Sequence, residues 1–202
     1  MIDFVATFIF FFAVIDPIGT VPVFIAVTKK FDDAAKRKIA LYSTLASAGI
    51  LLFFVIAGEI ILTAMQIPLS AFQVAGGIVL FLFALTMIFG ESKPEEEVRL
   101  VECKKETAIF PLAVPSIAGP GAMLAAVLMT ENSRFNISEQ AQTVGMMLLV
   151  LLIAYILMLA SNWINRLIGS SGASVVSRVM GLILAAVATT NTLAGIKEYF
   201  NL

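Results

Sequence analysis

Apolar residues fill the chain in six blocks, at 3–28, 39–64, 70–90, 107–129, 142–164 and 176–199. Each reaches the ~20 apolar residues that a helix needs to cross the hydrocarbon core of a bilayer. Polar residues gather between the blocks in short connections, apart from a longer stretch, 91–106, rich in both acids and bases. The pattern predicts an all-α membrane protein of six transmembrane helices. A single membrane domain covers 1–202: three spans in 1–90, a charged loop at 91–106 and three spans in 107–202.

Two blocks are interrupted from within. The first holds Ala13-Val14-Ile15-Asp16-Pro17-Ile18-Gly19-Thr20-Val21-Pro22, and the fourth holds Ala113-Val114-Pro115-Ser116-Ile117-Ala118-Gly119-Pro120-Gly121. Proline removes a backbone donor and clashes with the preceding turn, so neither helix runs straight through. Broken backbone at membrane depth is tolerated only inside protein or along a cavity. Spans 1 and 4 are therefore expected to break at the midplane and to form the two halves of one binding site.

The halves also resemble each other. Residues 9–21 read IFFFAVIDPIGTV and 109–121 read IFPLAVPSIAGPG, so Ile, Phe, Ala, Val and Gly coincide at an offset of 100. Spans 3 and 6 match more weakly at an offset of 105, pairing Val74 with Val179, Gly76 with Gly181, Ile78 with Ile183 and Gly90 with Gly195. Three spans per half place the halves in opposite orientations, as two inverted three-helix repeats. Transporters built this way hold their substrate at the repeat interface. Chance similarity between apolar, low-diversity segments is the competing explanation.

Composition strengthens the membrane reading. Hydrophobic residues make up 60% of the chain and charged residues 13%, with a mean hydropathy of +1.00. A soluble domain carries about 25% charged residues. Of thirteen basic residues, eleven fall on the side of connections 1–2, 3–4 and 5–6: Lys29, Lys30, Lys36, Arg37, Lys38, Lys93, Arg99, Lys104, Lys105, Arg166 and Arg178. Only Arg134 and Lys197 fall on the other. The positive-inside rule makes the first side cytoplasmic, with both termini outside. The start, Met1-Ile2-Asp3-Phe4, lacks the basic region of a signal peptide, so the first block is expected to remain. Cys103 stands alone and histidine is absent, which excludes an internal disulfide and histidine metal ligands. No basic nucleic-acid surface, cofactor motif or catalytic constellation is present, so an enzyme is not expected. The glycines at 119 and 121 lack the Lys-Ser/Thr of a phosphate-binding loop.

The candidate chemistry lies at the breaks. Asp16 before Pro17 reads as an N-cap followed by proline at the first helical position. A carboxylate at membrane depth costs about 2.5–3.5 kcal/mol, which also suits a role with a cation, a proton or a substrate ammonium. Capping alone is the plainer alternative. Gly119 before Pro120 starts a second half-helix, and Gly19, Gly119 and Gly121 let backbone approach a ligand. Two helix N-termini then meet near the midplane, where their N–H groups favour an anion such as a carboxylate. Thr20 and Ser116 add hydroxyls, and Ala13, Ala113, Ala118 and Ala122 keep the space small. Paired kinks used only for packing are the alternative. Gly76, Gly77 and Gly181 read as packing positions, and Asn191 is a weaker candidate in a polar band with Thr189, Thr190 and Thr192.

The pattern Asp16-Pro17-Ile18-Gly19-Thr20-Val21-Pro22, followed half a chain later by Pro111-Leu112-Ala113-Val114-Pro115-Ser116-Ile117-Ala118-Gly119-Pro120-Gly121-Ala122, resembles the MarC family of prokaryotic membrane proteins. The resemblance extends over essentially the whole chain. Thr20 occupies a position that the family often fills with Asn. The resemblance implies a multi-pass protein of the cytoplasmic membrane and transport of small neutral amino acids such as glycine and alanine. Such a carrier would hold its substrate at Asp16, Pro17, Gly19, Thr20, Ser116, Ala118, Gly119, Gly121 and Asn191. Asp16 would be the candidate for a coupling Na+ or H+, and one three-span half would rock against the other. A passive small-solute channel and a non-transporting membrane scaffold are the rival readings.

Overall fold

The computed structural model describes residues 3–89, 108–132 and 134–201, and among them the regular structure is helical, with no strand. The charged connection 91–106, with Cys103, Lys93, Arg99, Lys104 and Lys105, lies outside the described residues. Eight segments follow in order: α1 (Phe4–Ile15), α2 (Pro17–Thr28), α3 (Asp33–Ala64), α4 (Leu69–Phe89), α5 (Ala108–Ile117), α6 (Pro120–Leu128), α7 (Ile137–Leu159) and α8 (Ser161–Phe200).

Five stretches are long and apolar enough to cross a membrane: Phe4–Thr28, Asp33–Ala64, Leu69–Phe89, Ile137–Leu159 and Arg178–Phe200. The pair Phe110–Ile117 and Pro120–Leu128, bent by 51°, makes up to six. Apolar side chains cover the outside of these helices. Ile56, Leu82, Leu152 and Leu182 are each more than half exposed. Polar Asp16, Thr20, Ser43, Ser47 and Ser116 are buried instead. Apolar-out and polar-in is the distribution of a chain solvated by lipid, since soluble proteins seldom expose apolar patches of this extent. Phe4–Thr28 is the interior stretch, with 61% of its most apolar window buried against 22–33% for the other four.

Local chemistry sets the helix limits. Asp3 caps α1 through Val5 and Ala6, and Asp32 caps α3 by accepting from the Ala35 N–H at 3.2 Å. Helix α7 starts five residues before its apolar block, at Ile137. Asn136 and Glu139 form a reciprocal capping box there, which satisfies two otherwise free donors. The connection expected between the fifth and sixth blocks is not a loop. The chain turns at Ala160 and is helical from Ser161 to Phe200. Gly169 and Gly172 weaken a helix by about 1 kcal/mol each, but without proline nothing forces it to stop.

The packing runs between the halves of the chain. The most extensive seam joins α4 to α8. Ser70 meets Gly195, Gly77 meets Ala188 and Thr192, and Ala84 meets Gly181, so the two helices run antiparallel along their length. The expectation that Gly77 and Gly181 serve packing is met here. Gly76 does the same against Leu124 of α6. Helix α3 packs on α5, α6 and α7, while α1 packs on α6 and α7. Helix α2 packs on α5, α7 and α8. Among the described residues, substantial packing within one half is confined to a small contact of α7 with α8.

Candidate functional site

The first break is a single residue. Asp16 takes a left-handed backbone, φ 49° and ψ 65°, where Asp and Asn are among the few side chains tolerated. Its N–H donates to the Phe12 carbonyl at 3.0 Å and closes α1. Its Oδ1 accepts from the Gly19 N–H at 2.9 Å and opens α2, with Pro17 at the first helical position. Asp16 therefore ends one half-helix and caps the next, as its place before proline predicts. The left-handed turn is what the sequence reading lacks, because an N-cap usually has extended backbone.

Gly19 is required by this cap. A Cβ there would lie 2.0 Å from Asp16 Oδ2 and 2.6 Å from Asp16 Cγ. Thr20 is fully buried, and its hydroxyl donates to the Asp16 carbonyl at 3.0 Å. That proton is committed to backbone, so Thr20 offers a ligand its oxygen as an acceptor.

The second break is longer than the sequence suggests. Phe110 and Val114, each preceding a proline, have extended backbone within α5, as the proline ring imposes on the residue before it. Pro111 thus interrupts the span as well as Pro115. The Ala118 N–H donates to the Ala113 carbonyl at 2.8 Å, a wide turn that narrows the chain toward Gly119. A Cβ on Gly119 would stand 2.7 Å from the Pro115 carbonyl oxygen. Helix α6 then starts at Pro120 with no side-chain cap. Gly121 packs against Leu80 of α4, where a Cβ would come within 2.4 Å of Cδ1. Its smallness serves the seam with α4.

Helix α1 packs on α6, and α2 packs on α5. Segments before one break thus meet segments after the other. Packed in this way, the two oppositely directed spans cross in the region of their breaks. The starts of α2 and α6 diverge from that crossing, each with the partial positive charge of a helix N-terminus. Around it Asp16, Pro17, Gly19, Thr20, Ser116, Ala118, Gly119 and Gly121 are all buried. Ser116 is 3% exposed, and its Oγ has no hydrogen-bond partner. By the offset of 100 it is the counterpart of Asp16.

Asn191 lies on α8. It lines a cleft of about 430 Å³ between α8 and α1 with Phe10, Ile183, Ala186, Val187 and Thr190. Phe10 precedes Asp16 by six residues, about 9 Å of helical rise. The structure thus sets Asn191 beside α1, in a cleft that Phe10 lines.

Of two buried serines absent from the sequence reading, Ser47 approaches the second break. Ser43 and Ser47 are fully buried on α3. Ser47 Oγ donates to the Ser43 carbonyl at 2.8 Å and lies 3.4 Å from the Ala113 carbonyl oxygen. Their i, i+4 spacing within an apolar block is the signal that marks them.

The α6–α7 connection is fastened at the end of the molecule opposite Lys29 and Lys36. Glu59 Oε2 accepts from the Asn132 N–H at 2.9 Å and from Asn132 Nδ2 at 2.8 Å. Arg134 pairs with Glu131 at 2.9 Å and with Glu198 of α8. The hydrogen bond that Arg134 donates to Glu198 raises the Arg134 pKa above its ordinary value, against the effect of partial burial.

No solved structure is similar to the chain. A UPF0056 membrane protein of Methanocaldococcus jannaschii is 35% identical over 198 residues, 96% of each chain. One of Buchnera aphidicola subsp. Baizongia pistaciae is 30% identical over 200 residues, 99% of each. The UPF0056 inner membrane protein YhgN of Escherichia coli K12 is 29% identical over 203 residues, 98% of each. The family model described as "MarC family integral membrane protein" matches residues 1–200, which include both breaks. With two proline breaks crossing inside a lipid-facing helical shell, and that match over nearly its whole length, the chain belongs to the MarC family of integral membrane proteins.

Proposed function

We propose that this protein is a secondary transporter of small neutral amino acids in the cytoplasmic membrane of a prokaryote, working by alternating access. The observation that carries the reading is the crossing of the two breaks. Two helix N-termini, a buried carboxylate and an unpartnered buried serine hydroxyl on the two broken spans support it. The N-termini of α2 and α6 suit the substrate carboxylate. Asp16 suits its ammonium or a coupling Na+ or H+. The alanines and glycines of the two breaks suit a substrate with a small side chain.

Two inverted three-helix repeats account for the packing. Span 1 meets span 5 as span 4 meets span 2, and span 1 meets span 6 as span 4 meets span 3. The same packing argues against rocking one half against the other, because each half finds nearly all its partners in the other. The division it favours sets the α4–α8 pair against the remaining helices. Helix α8 touches α2, and α4 touches α6. Movement of the pair thus acts on the two half-helices that begin at the crossing. With the basic end cytoplasmic, both termini face outward.

Ligand-induced stabilisation of purified protein tests the site. Binding to the native state raises the melting midpoint, by about 2.7 kcal/mol of stabilisation at a hundredfold excess over Kd. Glycine or alanine is expected to raise it, and basic or acidic amino acids are not. A flat response to every small neutral amino acid counts against the proposed substrate class. Single-channel current steps in planar bilayers would support the channel reading instead.

A further inference from the structure

At the basic end of the molecule a cleft of about 150 Å³ opens where α2, α3, α7 and α8 meet. Phe24 and Leu159 form apolar walls, and Lys36, Arg37, Asp33 and Ser161 bring polar groups. The Lys36 side chain is 24% exposed, so most of it packs against protein beside the cleft. Asp33 neutralises it weakly. The two are 3.9 Å apart and the Asp33 side chain is 85% exposed. A weakly neutralised cation beside a cleft calls for an anion, and Arg37 adds a second donor group suited to phosphate oxygens. Helix α8 starts in the same cleft at Ser161, 4% exposed, with no side chain capping it. Its N-terminus favours negative charge as well.

The opposite end supplies a contrast. Aligning the N-caps Asp32 and Asn136 puts Gln140 of α7 where α3 has Lys36, and Ala141 where it has Arg37. Gln140 is engaged by the protein's own connection, donating to Asn132 Oδ1 at 2.9 Å and to the Phe135 carbonyl at 3.0 Å. There the chain fills the place itself with neutral groups. At the basic end the place is a cleft, and the exposed Lys29 and Lys30 of the α2–α3 connection are not among the residues that line it.

We propose that this cleft binds a phosphate group, either in the headgroup of an anionic phospholipid or as free inorganic phosphate. Lys36 and Arg37 hold the oxygens, the start of α8 adds its dipole, and Phe24 and Leu159 border the less polar side. Basic pockets between membrane helices are suited to anionic headgroups. The test measures thermal stability of the full-length protein in neutral detergent. Phosphatidylglycerol is compared with phosphatidylcholine, and sodium phosphate with sodium chloride at equal ionic strength. Wild type is expected to be stabilised by phosphatidylglycerol over phosphatidylcholine. The Lys36→Gln/Arg37→Gln variant is expected to bind it about thirtyfold more weakly, from the loss of two cations near an anionic surface. Lys29→Gln/Lys30→Gln keeps the effect. Stabilisation by sodium phosphate assigns the site to free phosphate, and its absence beside a lipid effect assigns it to a headgroup. Arg37→Gln alone serves if the double variant does not fold. Equal losses in the two double variants, or no response of wild type to either phosphate source, overturns the proposal.

Discussion

At the residue scale, Asp16 does two separable jobs. Asn tolerates the left-handed backbone and caps about as well as Asp. Asp16→Asn is therefore expected to keep the melting midpoint close to wild type, within about 1 kcal/mol, while abolishing ion-coupled uptake. Unchanged uptake and ion dependence would remove the carboxylate from coupling and leave the helix N-termini as the recognition device. Asp16→Ala meets about 1–2 kcal/mol of backbone strain and loses a cap of about 1 kcal/mol. Its midpoint should fall well below that of Asp16→Asn. Ser116 gives the converse case. Its hydroxyl is buried and unpartnered, so Ser116→Ala is expected to be neutral or stabilising without ligand. The same change should weaken amino-acid binding, read as a smaller ligand-induced rise in midpoint. A full-sized rise would place the substrate away from Ser116.

At the scale of elements, the glycines separate seams from open surface. A Cβ on Gly195 would lie 2.8 Å from the Ser70 carbonyl oxygen, so Gly195→Ala must part α4 from α8. A loss of about 1–3 kcal/mol is expected. Gly49 and Gly145 have nothing within 4 Å of a Cβ, and alanine there should stabilise by up to about 1 kcal/mol. Unfolding midpoints of the three variants decide, and equal effects would contradict the seam. The fastening of the α6–α7 connection is weaker. Arg134 and Glu198 are 44% and 46% exposed in their side chains, so their pair is worth about 0–1 kcal/mol. Since the folded-state pKa of Arg134 is raised, that contribution is complete below the ordinary guanidinium pKa and fades only as pH rises through the raised value. Arg134→Gln is expected to speed amide exchange around Asn132 and Phe135 with little change in midpoint. Element limits were legible where prolines stand inside the apolar blocks, as at Pro17 and Pro120. The helical 161–177 was not, because Gly and Ser lower helix propensity without forbidding a helix. The full length of the second break was missed as well. It depends on two residues held extended by the prolines that follow them.

At the scale of the whole molecule, the sequence carries the apolar blocks, the interior position of span 1 and the pairing of two breaks. Those follow from hydropathy and from the cost of broken backbone in lipid. What hydropathy does not carry is which helix touches which, since lipid-facing and protein-facing positions are equally apolar. The seam of α4 with α8 emerges only from Gly77, Gly181 and Gly195 meeting their neighbours. A carrier with one occluded site must exchange substrate across the membrane. The direct measurement is counterflow in vesicles containing the folded protein. Vesicles loaded with unlabelled alanine are diluted into a trace of labelled alanine, with no ion gradient. Transient, saturable accumulation of label above equilibrium is expected of the proposed carrier, lost when the internal alanine is omitted. Label that merely equilibrates, with or without internal alanine, would contradict it.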